Sequence, residues 1–193
     1  QTKKCIADFQ KSSNLNIIHS WQDDKGFRVA QSRNIAIAKS NCEYITLIDG
    51  DMVLHKKFIE DHLNNAEIGF FVQGSRVFVN EEETKNSLMK SKINFSFFSK
   101  GLSNRKNSIH FNFFAKLFVN KLAYIHGIKA CNLAFFKKDC IEINGFNNHI
   151  IGWGREDSEF VTRLLNNGIC RKNIHFNMIQ FHLWHKNSKR DFL

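Results

Sequence analysis

The chain has 193 residues and 42% hydrophobic content, enough for one domain with a real core. Its 28 Lys and Arg against 18 Asp and Glu leave a formal charge of +10, which points to an anionic partner (nucleic acid, acidic glycan, nucleotide or membrane surface) or to a solvated Lys-rich surface. Five scattered cysteines with no C-x-x-C exclude a zinc ribbon or disulfide scaffold and fit a reducing compartment, and no apolar run approaches the roughly 20 residues that span a bilayer.

In chain order, Thr2 to Gln10 predicts a short amphipathic helix with Cys5, Ile6 and Phe9 on one face. "LNIIHS" (Leu15 to Ser20) predicts a strand, "WQDDKGF" a polar turn, and Val29 to Ser40 a helix. "YITLIDGD" is an apolar run ending in acids, which predicts a buried strand carrying Asp49 and Asp51 at its carboxyl end. Lys56 to Asn64 predicts a helix and "IGFFVQGSRVFV" a further strand. Strands alternating with helices predict an α/β domain with a mostly parallel central sheet flanked by helices. In such sheets ligands bind beyond the carboxyl ends of the strands, where "DGD" falls.

From residue 81 to about 127 the pattern degrades into lysines mixed with phenylalanines, which predicts loop and short helices. That segment reads either as an insertion packed on the core or as an acceptor-binding or membrane-facing lip. "IKACNLAFF" then predicts a strand and "KKDCIEI" a helical turn. Glu156 to Asn167 predicts a helix stopped by Gly168, and "HFNMIQFHLWH" a final strand. One domain over residues 1–193 is expected: a nucleotide and metal half (1–80), a variable basic aromatic insertion (81–127), and an acceptor and catalytic-base half (128–193).

Three features could carry chemistry. Two carboxylates at i and i+2 in "DGD" can both face a hard cation at a strand end, or simply form a solvated turn. His182 and His185 sit in an apolar setting. Positions three apart on an extended strand point to opposite faces, so both bind one metal only if the strand breaks between them. In "GWGRED", Asp157 near a helix start is explained by capping. Trp153 between glycines is not. An indole face can carry a sugar ring, and a neighbouring carboxylate can take the proton of an attacking hydroxyl.

"WQDDKGFRVAQSRNIAIAKSNCEYITLIDGDMV", "ACNLAFFKKDCIEINGFNNHIIGWGREDSEFVTRLLNNG" and "FHLWHK", in that order, resemble a family 2 glycosyltransferase of the GT-A fold. The branch most similar shares the "GWGxED" module with chondroitin polymerase and the β-1,4-galactosyltransferases. The resemblance runs from about Thr2 to Lys186. It implies an inverting transfer of Gal, GalNAc, Glc or GlcNAc from a UDP-sugar to a hydroxyl of a glycan or glycolipid acceptor, with Mn²⁺ or Mg²⁺. Asp51 would bind the metal, Asp49 the metal or nucleotide, and His182 the metal, with His185 the alternative. Asp157 would be the general base and Glu156 would hold substrate or helix geometry. Trp153 and Gly152 would line the sugar pocket, Arg33 and Arg28 the nucleotide side, and Asn132 the acceptor-side strand.

The resemblance also implies bacterial surface polysaccharide or lipopolysaccharide synthesis in the cytoplasm, with peripheral contact at the inner face of the membrane. The family's opening "PTYN"-like strand and "DDGS"-like turn are not found, so about one βαβ unit of the fold is expected to be missing from this chain. A non-catalytic carbohydrate-binding domain and a metal-dependent phosphoesterase are the competing readings. A nucleic-acid partner is not expected, because no helix-turn-helix or RNP-like motif occurs.

Overall fold

A computed structural model describes residues 2–91, 93–117, 120–122, 125–152 and 154–186. Seven helices, α1 (Thr2–Ser12), α2 (Val29–Lys39), α3 (Phe58–Asn65), α4 (Glu81–Met89), α5 (Asn112–Leu117), α6 (Lys137–Glu142) and α7 (Glu156–Asn166), surround two sheets among the described residues. The strands are β1 (Tyr44–Ile48), β2 (Met52–Leu54), β3 (Phe70–Gln73), β4 (Arg76–Val79), β5 (Leu102–Ser103), β6 (Asn120–Leu122), β7 (Asn132–Phe136), β8 (Cys170–Asn173) and β9 (Gln180–His182).

The larger sheet has the order β1-β7-β3-β8-β6 and the smaller one β2-β9-β4-β5. The α/β class is as expected, but the larger sheet is mixed where a mostly parallel one was predicted. Among the described residues of the larger sheet, only β3 and β8 pair in parallel, and in the smaller sheet β4 and β9 do. β1–β7, β3–β7 and β6–β8 are antiparallel.

Alternation along the central strands builds the two cores. Phe71, Leu133 and Phe135 face a cluster with Ile37 of α2, Cys140 of α6 and Phe160, Val161 and Leu164 of α7. Their neighbours Val72 and Ala134 face the opposite cluster, with Phe58 of α3 and Met178. The Phe146 and Phe160 rings stack at 4.0 Å in the first cluster, and each fully buried ring is worth roughly 1.5–3 kcal/mol. A third cluster, Val77, Val79, Phe95, Ile179 and Phe181, holds the smaller sheet together and includes Phe95 from the 93–101 segment.

Two expected strands differ. Residues 15–20 form no strand. The run 68–79 forms two strands that belong to different sheets. The break falls at Gly74, where a Cβ would come within 2.5 Å of the Asn132 side chain. Only glycine lets the chain pass that close while it crosses between sheets. The expected helix at the start is present, but none of its residues is buried, and Phe9 on its apolar face is 54% exposed.

Candidate active site

β1 runs out at Ile48 and the chain turns through Asp49-Gly50-Asp51 into β2. β2 pairs antiparallel with β9, so that Met52 lies opposite His182, and Leu183 N donates to Asp51 O at 3.0 Å. This register delivers His182 to the aspartate. β9 ends at His182, and the following irregular segment turns His185 back to the same place. Asp51 Oδ2 lies 3.4 Å from His182 Nε2 and 3.2 Å from His185 Nε2. The strand break the sequence required for both histidines to converge is therefore present.

These residues fit a divalent cation. Atoms that each lie roughly 2.1 Å from one ion stand about 3 Å apart, as these do. Asp51 Oδ1 is buried without a hydrogen-bond partner among the described residues. His185 Nδ1 lies 3.1 Å from the Lys186 carbonyl, which can only accept. With Nδ1–H donated to that carbonyl, Nε2 is left facing the Asp51 carboxylate, a placement in which a cation between the two would be bound by both. His182 is held below the ordinary histidine range by burial, with Asp51 opposing that shift.

Asp49, the other acid of the turn, is nearly half exposed. Burial raises its carboxyl, Arg33 opposes that shift, and Asp51 adds to it. Arg33 on α2 joins the two halves of the site. Its Nη1 donates to Glu156 Oε1 at 3.1 Å, and its Nη2 lies 3.8 Å from Asp49 Oδ1. The guanidinium also lies over the Phe146 ring at 5.3 Å.

The acids of "GWGRED" separate by role. Glu159 pairs with Arg163 one turn along α7 at 2.6 Å. Glu156 is spent on Arg33. Asp157, in the first turn of α7, accepts from Ser158 N at 2.7 Å through Oδ1 and stays half-buried. Gly152 and Gly154 have φ of 98° and 100°, values that glycine adopts without a Cβ penalty, and Arg155, the residue before α7, has 71°. Gly152 N donates to Phe27 O, next to Arg28. Arg28 stands at the N-terminus of α2, its carbonyl accepting from Ser32 N. Trp153 lies outside the described residues.

Asn132 does not reach the site, contrary to expectation. It is 1% exposed. Its Nδ2 donates to Ser75 O and Met178 O, and its Oδ1 meets His62 Nε2 at 3.0 Å. A side chain saturated in this way ties the two sheets together and has no polar atom left for a substrate. Sequence reasoning missed Arg76, whose positive charge acts on both Asp49 and His182. The glycine break before "RVF" was its only signal.

A second set, His55, Asp61 and His110, is complete in itself. Asp61 is 2% exposed and accepts from His110 Nε2 at 2.9 Å and from Met178 N at 3.0 Å, while His55 stacks on His110. A cleft of about 750 Å³ beside α2 and α6 includes none of the predicted site residues.

Residues 1–127 match the family model described as glycosyl transferase family 2. The chain belongs to that family. Residues 110–186 match the model of the N-terminal domain of galactosyltransferase, which covers α7 and both histidines. No curated protein sequence matches the chain. Among solved structures, the crystal structure of GalNAc-T7 with UDP, GalNAc and Mn²⁺ is similar at a TM-score of 0.64 and 10% identity, over 95% of this chain and 35% of that one. That likeness shows the fold, the GT-A glycosyltransferase fold. This family 2 chain spans about a third of the length of that relative.

Proposed function

We propose that this chain carries out metal-dependent, inverting transfer of a hexose or N-acetylhexosamine (Gal, GalNAc, Glc or GlcNAc) from a UDP-sugar to a hydroxyl of a glycan or glycolipid. The convergence of His182 and His185 on Asp51 at 3.2–3.4 Å carries this reading, and family membership and the UDP and Mn²⁺ bound by the structural relative support it. Asp51, His182 and His185 would hold Mn²⁺ or Mg²⁺, with Asp49 beside it. A divalent cation there supplies charge neutralisation to a diphosphate leaving group.

Asp157 takes the proton as the acceptor oxygen bonds to the anomeric carbon and the bond from that carbon to the diphosphate oxygen breaks. No enzyme nucleophile is needed in a single inverting displacement. Arg33 keeps Asp49 and the start of α7 in fixed relation, so that metal and base act on one substrate.

Bacterial surface polysaccharide or lipopolysaccharide synthesis, at the inner face of the membrane, is the setting we propose. No described helix is long and apolar enough to cross a membrane. Residues 81–127, the basic aromatic segment, contain eight Lys or Arg and three Glu. Phe98 within it is 87% exposed, a composition suited to peripheral contact with anionic lipid.

The test is UDP release from a panel of UDP-sugars with and without Mn²⁺, beside Asp51→Ala. Metal-dependent release lost in the variant is the expected result. Sugar binding with no release from any donor, acceptor present, would favour a non-catalytic carbohydrate-binding domain.

A further inference from the structure

A pocket of about 310 Å³ includes none of the metal, arginine or base residues described above. It is lined by Asn64 and Asn65, the last two residues of α3, by Asn112, the first of α5, and by Asn177 in the loop between β8 and β9. We propose that this pocket is a subsite for one neutral sugar ring of the acceptor glycan.

The lining decides the class of ligand. Among the described residues it consists of four carboxamides, with no charged and no apolar side chain. Such a wall offers nothing to pair with an ion and no surface for a lipid chain. Each carboxamide presents an acceptor oxygen and two N–H donors, and a sugar hydroxyl likewise both donates and accepts. Neighbouring hydroxyls of one ring can therefore be met by one carboxamide in both senses. The volume is at the small end of the ~300–1,000 Å³ of ligand sites, which suits a single ring better than a nucleotide.

Asn177 is built into this wall. It is 6% exposed, and its Oδ1 is buried with no hydrogen-bond partner among the described residues. A buried acceptor without a donor is costly, and a ligand hydroxyl relieves it. Its two neighbours, Phe176 and Met178, hold left-handed backbone at φ of 65° and 50°, a conformation that bulky side chains rarely adopt and that clusters at ligand clamps. Three hydrogen bonds keep it there: Phe111 N donates to Phe176 O at 3.0 Å, Met178 N to Asp61 Oδ2 at 3.0 Å, and Asn132 Nδ2 to Met178 O at 2.7 Å. Asp61 also ties in the facing helix, since Asn65 Nδ2 donates to its carbonyl at 2.7 Å. The loop that carries Asn177 leads into β9, which ends on His182. The intervening chain spans at most about 18 Å, so a ring held here and a hydroxyl at the metal can belong to one oligosaccharide. The charged diphosphate and the base of the donor find no matching group in the pocket, which favours the acceptor.

The acceptor assignment rests on the transferase reading; the subsite itself is tested without turnover. Glucose, galactose, N-acetylglucosamine, N-acetylgalactosamine and lactose are titrated in EDTA into isotope-labelled wild type, Asp51→Ala, Asn64→Ala and Asn177→Ala. The side-chain amide signals of the pocket asparagines are followed by NMR. At least one of these sugars is expected to shift those signals in the wild type and Asp51→Ala alike, and to bind Asn177→Ala and Asn64→Ala about tenfold more weakly. Asn64 is exposed, so its variant reports on binding whether or not Asn177→Ala folds. No shift with any of these sugars, or equal binding by the wild type and Asn64→Ala, overturns the subsite, whereas sugar binding without transfer from any donor overturns only the transferase reading. In turnover, Asn64→Ala is expected to raise KM for a neutral oligosaccharide acceptor and to leave KM for the UDP-sugar unchanged. An unchanged acceptor KM, or a rise confined to the UDP-sugar, would overturn the assignment to the acceptor.

Discussion

Arg33 and Glu156 are 123 residues apart in the chain, yet Nη1 of one donates to Oε1 of the other at 3.1 Å with both side chains largely buried. Glu156 Oε2 has no hydrogen-bond partner among the described residues, and Arg33 is the cationic side chain that pairs with this carboxylate among them. Removing one partner of such a pair strands the other. Arg33→Met is expected to cost on the order of 3 kcal/mol of stability. The double variant Arg33→Met with Glu156→Met should recover part of that loss in denaturant unfolding; an additive double variant would show that the pair is not coupled.

The two histidines are predicted to act jointly. His182→Ala and His185→Ala should each weaken Mn²⁺ binding by more than about tenfold, since even groups that only support a metal ligand cost that much. Calorimetric titration with Mn²⁺ reads this directly. An unchanged affinity in His185→Ala would return the role to His182 alone.

Asp157→Asn keeps the oxygen that accepts from Ser158 N and removes the proton acceptor. Turnover is expected to fall by ~10²–10⁴-fold while Mn²⁺ affinity stays unchanged. Near-normal turnover would reduce Asp157 to a first-turn residue of α7.

His62 predicts an acid limb of the stability curve. Burial pushes its pKa down to about 4, against ~6.5 for an unfolded histidine. Between those values the unfolded chain binds a proton that the folded protein refuses, so stability falls as pH drops from about 6.5 to about 4 and is fully present above that window. His62→Gln should flatten this limb in urea titrations run across that range; an unchanged slope would assign it to other groups.

Gly74→Ala would drive a Cβ to 2.5 Å from Asn132 Nδ2, an atom engaged with two carbonyls. The expected loss is roughly 1–3 kcal/mol. A midpoint of thermal unfolding equal to that of the wild type would show that the crossing between sheets has slack.

The placement of "DGD" and of the helix after "GWGR" was legible because both depend on local signals, an apolar run ending in acids and an acidic first turn. Strand direction was not. "YITLI" and "NLAFF" are buried runs whose alternation is the same whether they pair parallel or antiparallel, so the mixed sheet could not be read from them. The division of residues 68–79 between two sheets rests on one glycine packed against Asn132, 58 residues away. Asn132 itself was misread because its strand position indicates proximity to the site but says nothing about where its amide is spent. The convergence of His182 and His185 depended on a strand ending at one particular residue, and strand ends are set by pairing partners rather than by the segment itself.

The pairing of Met52 with His182 also has a consequence in time. β2 and β9 are three residues each and, unaided, short strands fray on the scale of local opening. An ion gripped by Asp51 on one side and His182 on the other would close the open end of that ladder as a zip fastener is closed by its slider. The amides of Val53 and Phe181 would then exchange with deuterated solvent more slowly in manganese than in EDTA, while those of β3 and β8 would keep one rate in both.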